Sequence, residues 1–315
     1  MFSGNTHQAI NYTSVATGSD VRPRLTIERC KITDTPASPA NKPPNSAISM
    51  DIQDNKFTLS NNFVARNRLG AIQARLGRSD GSSLLRNFIC ENTFYRNAKG
   101  TIVVEQRKGG KSNYSFVHIV KNAFGSNLGH ESTVKLSEIQ GEIISNFFYN
   151  NSGLHSIEYE FSSSWPKEQK CELNTFFLNK GLGENYGVTV LSNGPMQYHR
   201  NNFKNPSNLY ELSSTRQAVS DSIDAVENWW GVGIEPAVGL RIYEKEDDYK
   251  LASVEYKPFL KLPPRNILSR KYTTLGIINL QGFTQVRRGQ QRRRNVVSRV
   301  EPANSNSQGK GKQFE

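Results

Sequence analysis

Asn92-Thr93-Phe94-Tyr95-Arg96-Asn97 decides the fold, because near-copies of it return along most of the chain. Asparagine, an aromatic two places on and asparagine again recur as Asn122/Phe124/Asn127, Asn146/Phe148/Asn151 and Asn174/Phe176/Asn179. Looser copies are Asn61/Phe63/Asn67, Asn201/Phe203/Asn205 and Asn228/Trp230/Gly231. The marker aromatics at 63, 94, 124, 148, 176, 203 and 230 are separated by 31, 30, 24, 28, 27 and 27 residues. A period of this size marks a solenoid or repeat array, in which each unit packs only on its neighbours.

Between the motifs lie segments with a period of two. Ile72-Gln73-Ala74-Arg75, Ile102-Val103-Val104-Glu105, Val134-Lys135-Leu136-Ser137, Ile157-Glu158-Tyr159-Glu160, Val188-Thr189-Val190-Leu191 and Tyr210-Glu211-Leu212-Ser213 are apolar at their first and third positions. That is the signature of a short, half-buried strand. A second apolar stretch precedes each motif, as in Phe88-Ile89-Cys90 and His118-Ile119-Val120, and variable loops at 76–83, 106–112 and 162–169 interrupt the pattern at recurrent places. No helical spacing competes. A leucine-rich repeat would need a Leu ladder, which is missing, and propeller blades need periods of about 40 to 50. The prediction is an all-β, right-handed parallel β-helix of seven or eight coils. In such a fold equivalent residues stack coil on coil: Asn tolerates the left-handed backbone of a sharp corner and bonds to the next amide, while the aromatic turns inward into an offset column.

The division expected along the 315 residues is an irregular lead-in over 1–24, the β-helix over 25–260, and a linker with a basic, disordered tail over 261–315. Leu25 to Ile32 reads as a degenerate first coil with Ile32 in the aromatic position, and the proline-rich Thr35 to Ser46 as an excursion loop. The formal charge of +12 is uneven: residues 261–315 carry 12 Lys/Arg against 2 Asp/Glu, leaving 28 against 26 for residues 1–260. A nearly neutral body argues against nucleic acid, and no aromatic interleaves with Arg287-Arg288 and Arg292-Arg293-Arg294. Cys30, Cys90 and Cys171 are at unrelated spacings, which suits neither a disulfide framework nor zinc. Met1 to Asp20 lack the basic start and apolar middle of a secretion signal. Mean hydropathy is −0.61, as expected when each coil buries only a narrow inner stripe.

The most specific stretch closes the array. Glu227-Asn228-Trp229-Trp230-Gly231 is followed by Ile234, Leu240-Arg241-Ile242-Tyr243, an acidic segment from Glu244 to Asp248, and Val254-Glu255-Tyr256-Lys257-Pro258-Phe259-Leu260. This resembles the closing coil of right-handed parallel β-helix repeat proteins, and among them the β-helix modules of the bark beetle (anakonda) family of animal epithelial junction proteins. The resemblance covers residues 25 to 260. It implies a non-catalytic extracellular scaffold or adhesion module at cell–cell junctions, especially where three cells meet. Its implied partners are junction or matrix proteins, and glycans, with membrane attachment only through other parts of a longer chain.

Other β-helices are polysaccharide lyases and hydrolases, which need carboxylates paired on the outside of adjacent coils. Glu158 and Glu160 share a coil next to Lys135, and Glu105 follows Arg75; a carbohydrate-active protein would set Glu105, Glu158 and Glu160 in a groove. Alternation of sign instead suits an ordinary sheet exterior. The Asn-Thr-Asp and paired-Asp signatures of pectin hydrolases are missing. His7, His118, His130, His155 and His199 show no ligand spacing, so no metal or other cofactor is expected, and Trp229 and Trp230 read as a cap on the core. Three sequons begin at Asn11, Asn113 and Asn150; Asn11 and Asn113 are the expected glycan acceptors, since Asn150 lies inside the repeat motif.

Overall fold

The computed structural model describes residues 2–3, 10–14, 24–35, 46–77, 85–107, 115–161, 169–183, 187–194, 196–215 and 222–264. The chain divides into a compact unit Met1–Ile267 and a second unit Leu268–Glu315, and the latter, with the expected basic tail, lies outside the described residues. So do His7, Asn113 and residues 36–45 of the excursion loop.

Three parallel sheets build the first unit, and the chain visits them in strict rotation as far as the second-sheet strand Tyr210–Ser214. The first sheet has eight strands: Phe2–Ser3, Lys31–Thr33, Phe63–Ala65, Thr93–Tyr95, Ala123–Gly125, Phe147–Tyr149, Thr175–Phe177 and Asn202–Lys204. The second has nine, from Ile10–Ser14 through Ile72–Gly77, Val134–Ser137 and Val188–Asn193 to Ile242–Tyr243. The third has seven, from Arg24–Glu28 through Leu85–Cys90 and Gln140–Ile144 to Met196–His199. This rotation with parallel pairing throughout is a parallel β-helix. The long insertions at 78–84, 108–114 and 162–168 all fall between a second-sheet and a third-sheet strand. The coil from Asn122 to Asn146 is short because only Glu138 and Ile139 bridge that corner.

The aromatic column is the spine. Phe94, Phe124, Phe148, Phe176, Phe203 and Trp230 are fully buried and stack at centroid spacings of 5.1, 4.6, 4.8, 4.9 and 5.0 Å with planes within 15°. Trp230 ends this column, and Trp229 beside it bridges to Asn202. Burying each ring contributes roughly 1.5–3 kcal/mol. Pairing of Phe94 with Val64, and of Val64 with Ile32, shows that the column continues through aliphatic residues. The copy at 61–67 is therefore Asn62/Val64/Asn67 and not Asn61/Phe63; Phe63 pairs with Thr93 and is half-buried. Residues 1–24, expected to be irregular, contribute Phe2–Ser3 to the first sheet and Ile10–Ser14 to the second.

Two ladders of asparagine flank the aromatic column. Asn62, Asn92, Asn122, Asn146, Asn174, Asn201 and Asn228 form one, in which each Nδ2 donates to the next Oδ1 at 2.9–3.1 Å. The same Oδ1 accepts the backbone N–H of the preceding rung. The other amide hydrogen reaches a third-sheet carbonyl, as from Asn122 to Ile89 at 2.8 Å. Asn67, Asn97, Asn127, Asn151, Asn179 and Asn205 form the second ladder, where the other amide hydrogen reaches a first-sheet carbonyl, as from Asn97 to Val64 at 2.9 Å. Every donor and acceptor of an amide is thus used in a buried stack, which is what burial of so polar a column demands.

The left-handed backbone falls one residue earlier than expected. Arg29, Asn61, Glu91, Lys121, Ser145, Leu173, Arg200 and Glu227 precede first-ladder positions with φ of 54° to 57°. Asp34, Arg66, Arg96, Ser126, Asn150 and Leu178 precede second-ladder positions with φ of 51° to 64°. Each costs about 1–2 kcal/mol as a non-glycine residue. Inter-coil bonds such as Glu91 N–H to Val120 O at 3.0 Å hold the conformation whatever the side chain.

Candidate functional site

A groove of about 570 Å³ runs over the outer face of the second sheet. Its floor is the outward residues of successive strands, among them Asp51, Gln73, Arg75, Val103, Glu105, Lys135 and Glu158, and its wall is formed by Leu69, Lys99, Glu131 and Leu154 from the turns that enter the sheet. Strand alternation aims these side chains outward, and parallel register lines them up: Gln73, Val103, Lys135 and Glu158 are consecutive partners, as are Asp51, Arg75, Glu105, Ser137 and Glu160.

The groove brings Glu105 and Glu158 together but not Glu160, which is not among its lining residues. Its charges answer one another. Lys135 Nζ is 2.7 Å from Glu158 Oε1 and 3.1 Å from Glu160 Oε2; Arg75 is 3.7 Å from Glu105, and Lys99 is 3.7 Å from Glu131. Ser132 Oγ donates to Glu158 Oε2 at 2.5 Å. Burial pushes the Glu158 carboxyl up, but the hydrogen bonds from Lys135 and Ser132 and the Lys135 charge outweigh it and hold the group below its usual range. Lys135 is likewise pushed down by burial yet ends above its usual value because of Glu158 and Glu160. A carboxyl held ionised is a poor general acid, which needs a raised pKa. His155, behind Glu158, is lowered chiefly by burial, against a hydrogen bond to Val188 O at 3.1 Å.

Two alignments of the outer face change. Val190 and Leu191, not Val188 and Thr189, pair with Ile157 and Glu158. Glu211, read as part of a solvated exterior, is fully buried. It accepts from Asn205 N–H at 3.0 Å, Asn205 Nδ2 at 2.7 Å, Thr189 Oγ1 at 2.6 Å and Arg241 at 2.7 Å, and so terminates the second asparagine ladder. The turn at 205–208 and Arg241 cover it; the signal available in the sequence was the missing asparagine after Trp230.

None of the remaining candidates lines the groove. His118, in a third-sheet strand, stacks on Phe88 at 4.6 Å and lies 2.5 Å from Glu142 through Nδ1. His199 approaches Asp224 at 2.7 Å. Cys30, Cys90 and Cys171 are all free, and burial raises the Cys171 thiol far above its usual value. Among the described residues no three His, Cys, Asp or Glu side chains converge as metal ligands, and no helix is long and apolar enough to cross a membrane.

The stacked parallel sheets define a parallel β-helix solenoid. Protein bark beetle of Drosophila melanogaster is similar to it, with 27% identity over 233 residues that cover 68% of this chain and 7% of the relative. The chain thus spans a small fraction of that relative's length. No family model and no solved structure matches the sequence.

Proposed function

We propose that the chain is a non-catalytic β-helix scaffold module acting at cell–cell junctions, on the extracellular face of the plasma membrane, where it engages junction or matrix proteins. The similarity to Protein bark beetle over most of the chain carries this reading. The build agrees with it: hydrogen-bonded asparagine ladders and a stacked aromatic column join coil to coil, as suits a scaffold. The test is to tag the endogenous protein in epithelial tissue and image it without permeabilising the cells. Surface staining concentrated at cell vertices is expected; a wholly intracellular distribution overturns the proposal.

The groove favours a second reading, recognition of a glycan by Gln73, Arg75, Glu105 and Glu158. Planar polar side chains of this kind suit sugar hydroxyls, although no aromatic lines the groove to stack on a ring. Glycan-array binding that is lost in Glu105→Gln would support it, and absence of binding would leave the scaffold reading alone.

A further inference from the structure

We propose that Asn150 carries an N-linked glycan. Asn150-Asn151-Ser152 sets two asparagines of opposite fate side by side. Asn151 is a buried rung, 3% exposed, bonded to Asn127 and Asn179. Asn150 is the left-handed corner residue before it, with φ of 51° and an exposed side chain. Its backbone is held by N–H donation to Phe177 O at 3.0 Å, and its amide makes a long contact, 3.4 Å, with Ser126 Oγ. The lumenal transfer reaction forms a bond from the Asn Nδ2 to C1 of an oligosaccharide borne on a lipid pyrophosphate; the lipid pyrophosphate leaves and the amide gives up one proton. At Asn150 that bond removes no ladder contact, and the sugar projects from the outside of the corner.

The rungs themselves are spared by sequence. Glycan transfer acts on the chain before it folds, so burial gives a rung no protection. Only Asn205 of the ladder residues is followed two places on by Ser or Thr, and Pro206 between them blocks the sequon. Of the acceptors among the described residues, Asn11 is also exposed, on the second-sheet strand Ile10–Ser14. The inference rests on the extracellular reading above, and the experiment separates the two by supplying the export step. The full chain is secreted from cultured insect cells behind an added signal peptide, and the peptide bearing residue 150 is analysed by mass spectrometry before and after enzymatic glycan removal. Glycan mass on that peptide is expected in half or more of the molecules, lost in Ser152→Ala, which keeps the corner asparagine, and in Asn150→Asp, which keeps its tolerance of positive φ. A secreted protein unmodified at Asn150 overturns the inference, whether or not Asn11 is occupied. Failure of the native protein to reach the cell surface would instead overturn the extracellular reading on which the inference rests, a result distinct from a secreted protein bare at Asn150.

Discussion

The two asparagine ladders are alike through their length and opposite at their ends. The first ends neutrally: Asn228 turns both amide hydrogens onto backbone carbonyls, Tyr198 O and Ala225 O, each at 2.6 Å. The second ends on a charge. After Trp230 the chain leaves as Gly231-Val232-Gly233 into the short helix Glu235–Gly239, so no asparagine stacks beyond Asn205. The Glu211 carboxylate takes that place and is itself answered by Arg241, whose guanidinium also caps Asn205 O at 2.9 Å and Asn208 O at 2.7 Å. A stack of amides is polar in one direction, so its last rung must find an acceptor. Where the backbone folds back, carbonyls suffice; where it departs, a buried ion and its counter-ion are needed.

The sharpest way to break this comparison is at Glu211. Glu211→Ala leaves Arg241 uncompensated and strands the Asn205 amide and Thr189 hydroxyl, at a cost of about 3–5 kcal/mol. Asn228→Ala strands only amide and carbonyl groups and is expected to cost about 2–3 kcal/mol. Urea denaturation followed by circular dichroism compares them, and equal midpoints would show that the charged end is no more demanding than the neutral one. Asn122→Ala, mid-ladder, removes the acceptor for Asn92 and the donor to Asn146 and Ile89 together, and about 3 kcal/mol is expected from the same measurement. A loss under about 1 kcal/mol, the worth of one ordinary hydrogen bond, would mean that water replaces the rung.

What could be read from the chain follows the same physics. The stacked Asn and Phe were legible because a buried amide ladder tolerates nothing else at its rungs and the intervals repeat. The register at Asn62 and Val64 was not, since Phe63 offers a closer match to the motif than the valine that fills the column. Arg29, Lys121, Leu173 and Arg200 hide the left-handed corners because inter-coil hydrogen bonds, not side-chain preference, set that backbone. Glu211 looked solvated since alternation says only which way a side chain points, and here the turn at 205–208 and Arg241 lie over it. Alternating charge favoured a paired exterior, and a groove at Glu105, Glu158 and Glu160 was required only of a carbohydrate-active protein; the groove holds the first two, and its wall comes from turns whose shape no local pattern announces.

Half-buried pairs allow a finer comparison with the buried one. Glu158 has a folded pKa below its unfolded value, so its contribution is fully present above the usual Glu value of about 4.3 and is lost as pH falls through the lowered folded value. Wild-type protein should therefore lose more stability than Glu158→Gln does as pH falls below the usual Glu value, by about 1 kcal/mol at most after solvent screening. Parallel acid profiles of the two would remove Glu158 from the account. His155 adds an earlier loss: its folded pKa lies below the usual 6.5, so acidification weakens the fold from about that pH downward until the folded value is passed.

The smallest effect belongs to the corner pair at the other end of the second ladder. Arg66 Nε and one terminal nitrogen donate to the two Asp34 oxygens at 2.7 Å each, and these bonds hold the Asp34 carboxyl down at about 2. Both residues are left-handed corner residues with exposed side chains, and Thr35 beside them donates its N–H to Asn67 Oδ1 at 3.1 Å. The geometry is as good as that at Glu211, yet water solvates both partners, so holding the two side chains offsets most of the attraction. Asp34→Asn, which keeps the tolerance of positive φ, should leave the urea midpoint nearly unchanged at neutral pH. Any difference should vanish as pH falls from the usual Asp value through about 2, because the depressed pKa places the stabilisation above that range. A midpoint shift as large as that of Glu211→Ala would mean that charge geometry, and not burial of the ladder's last acceptor, separates the two ends.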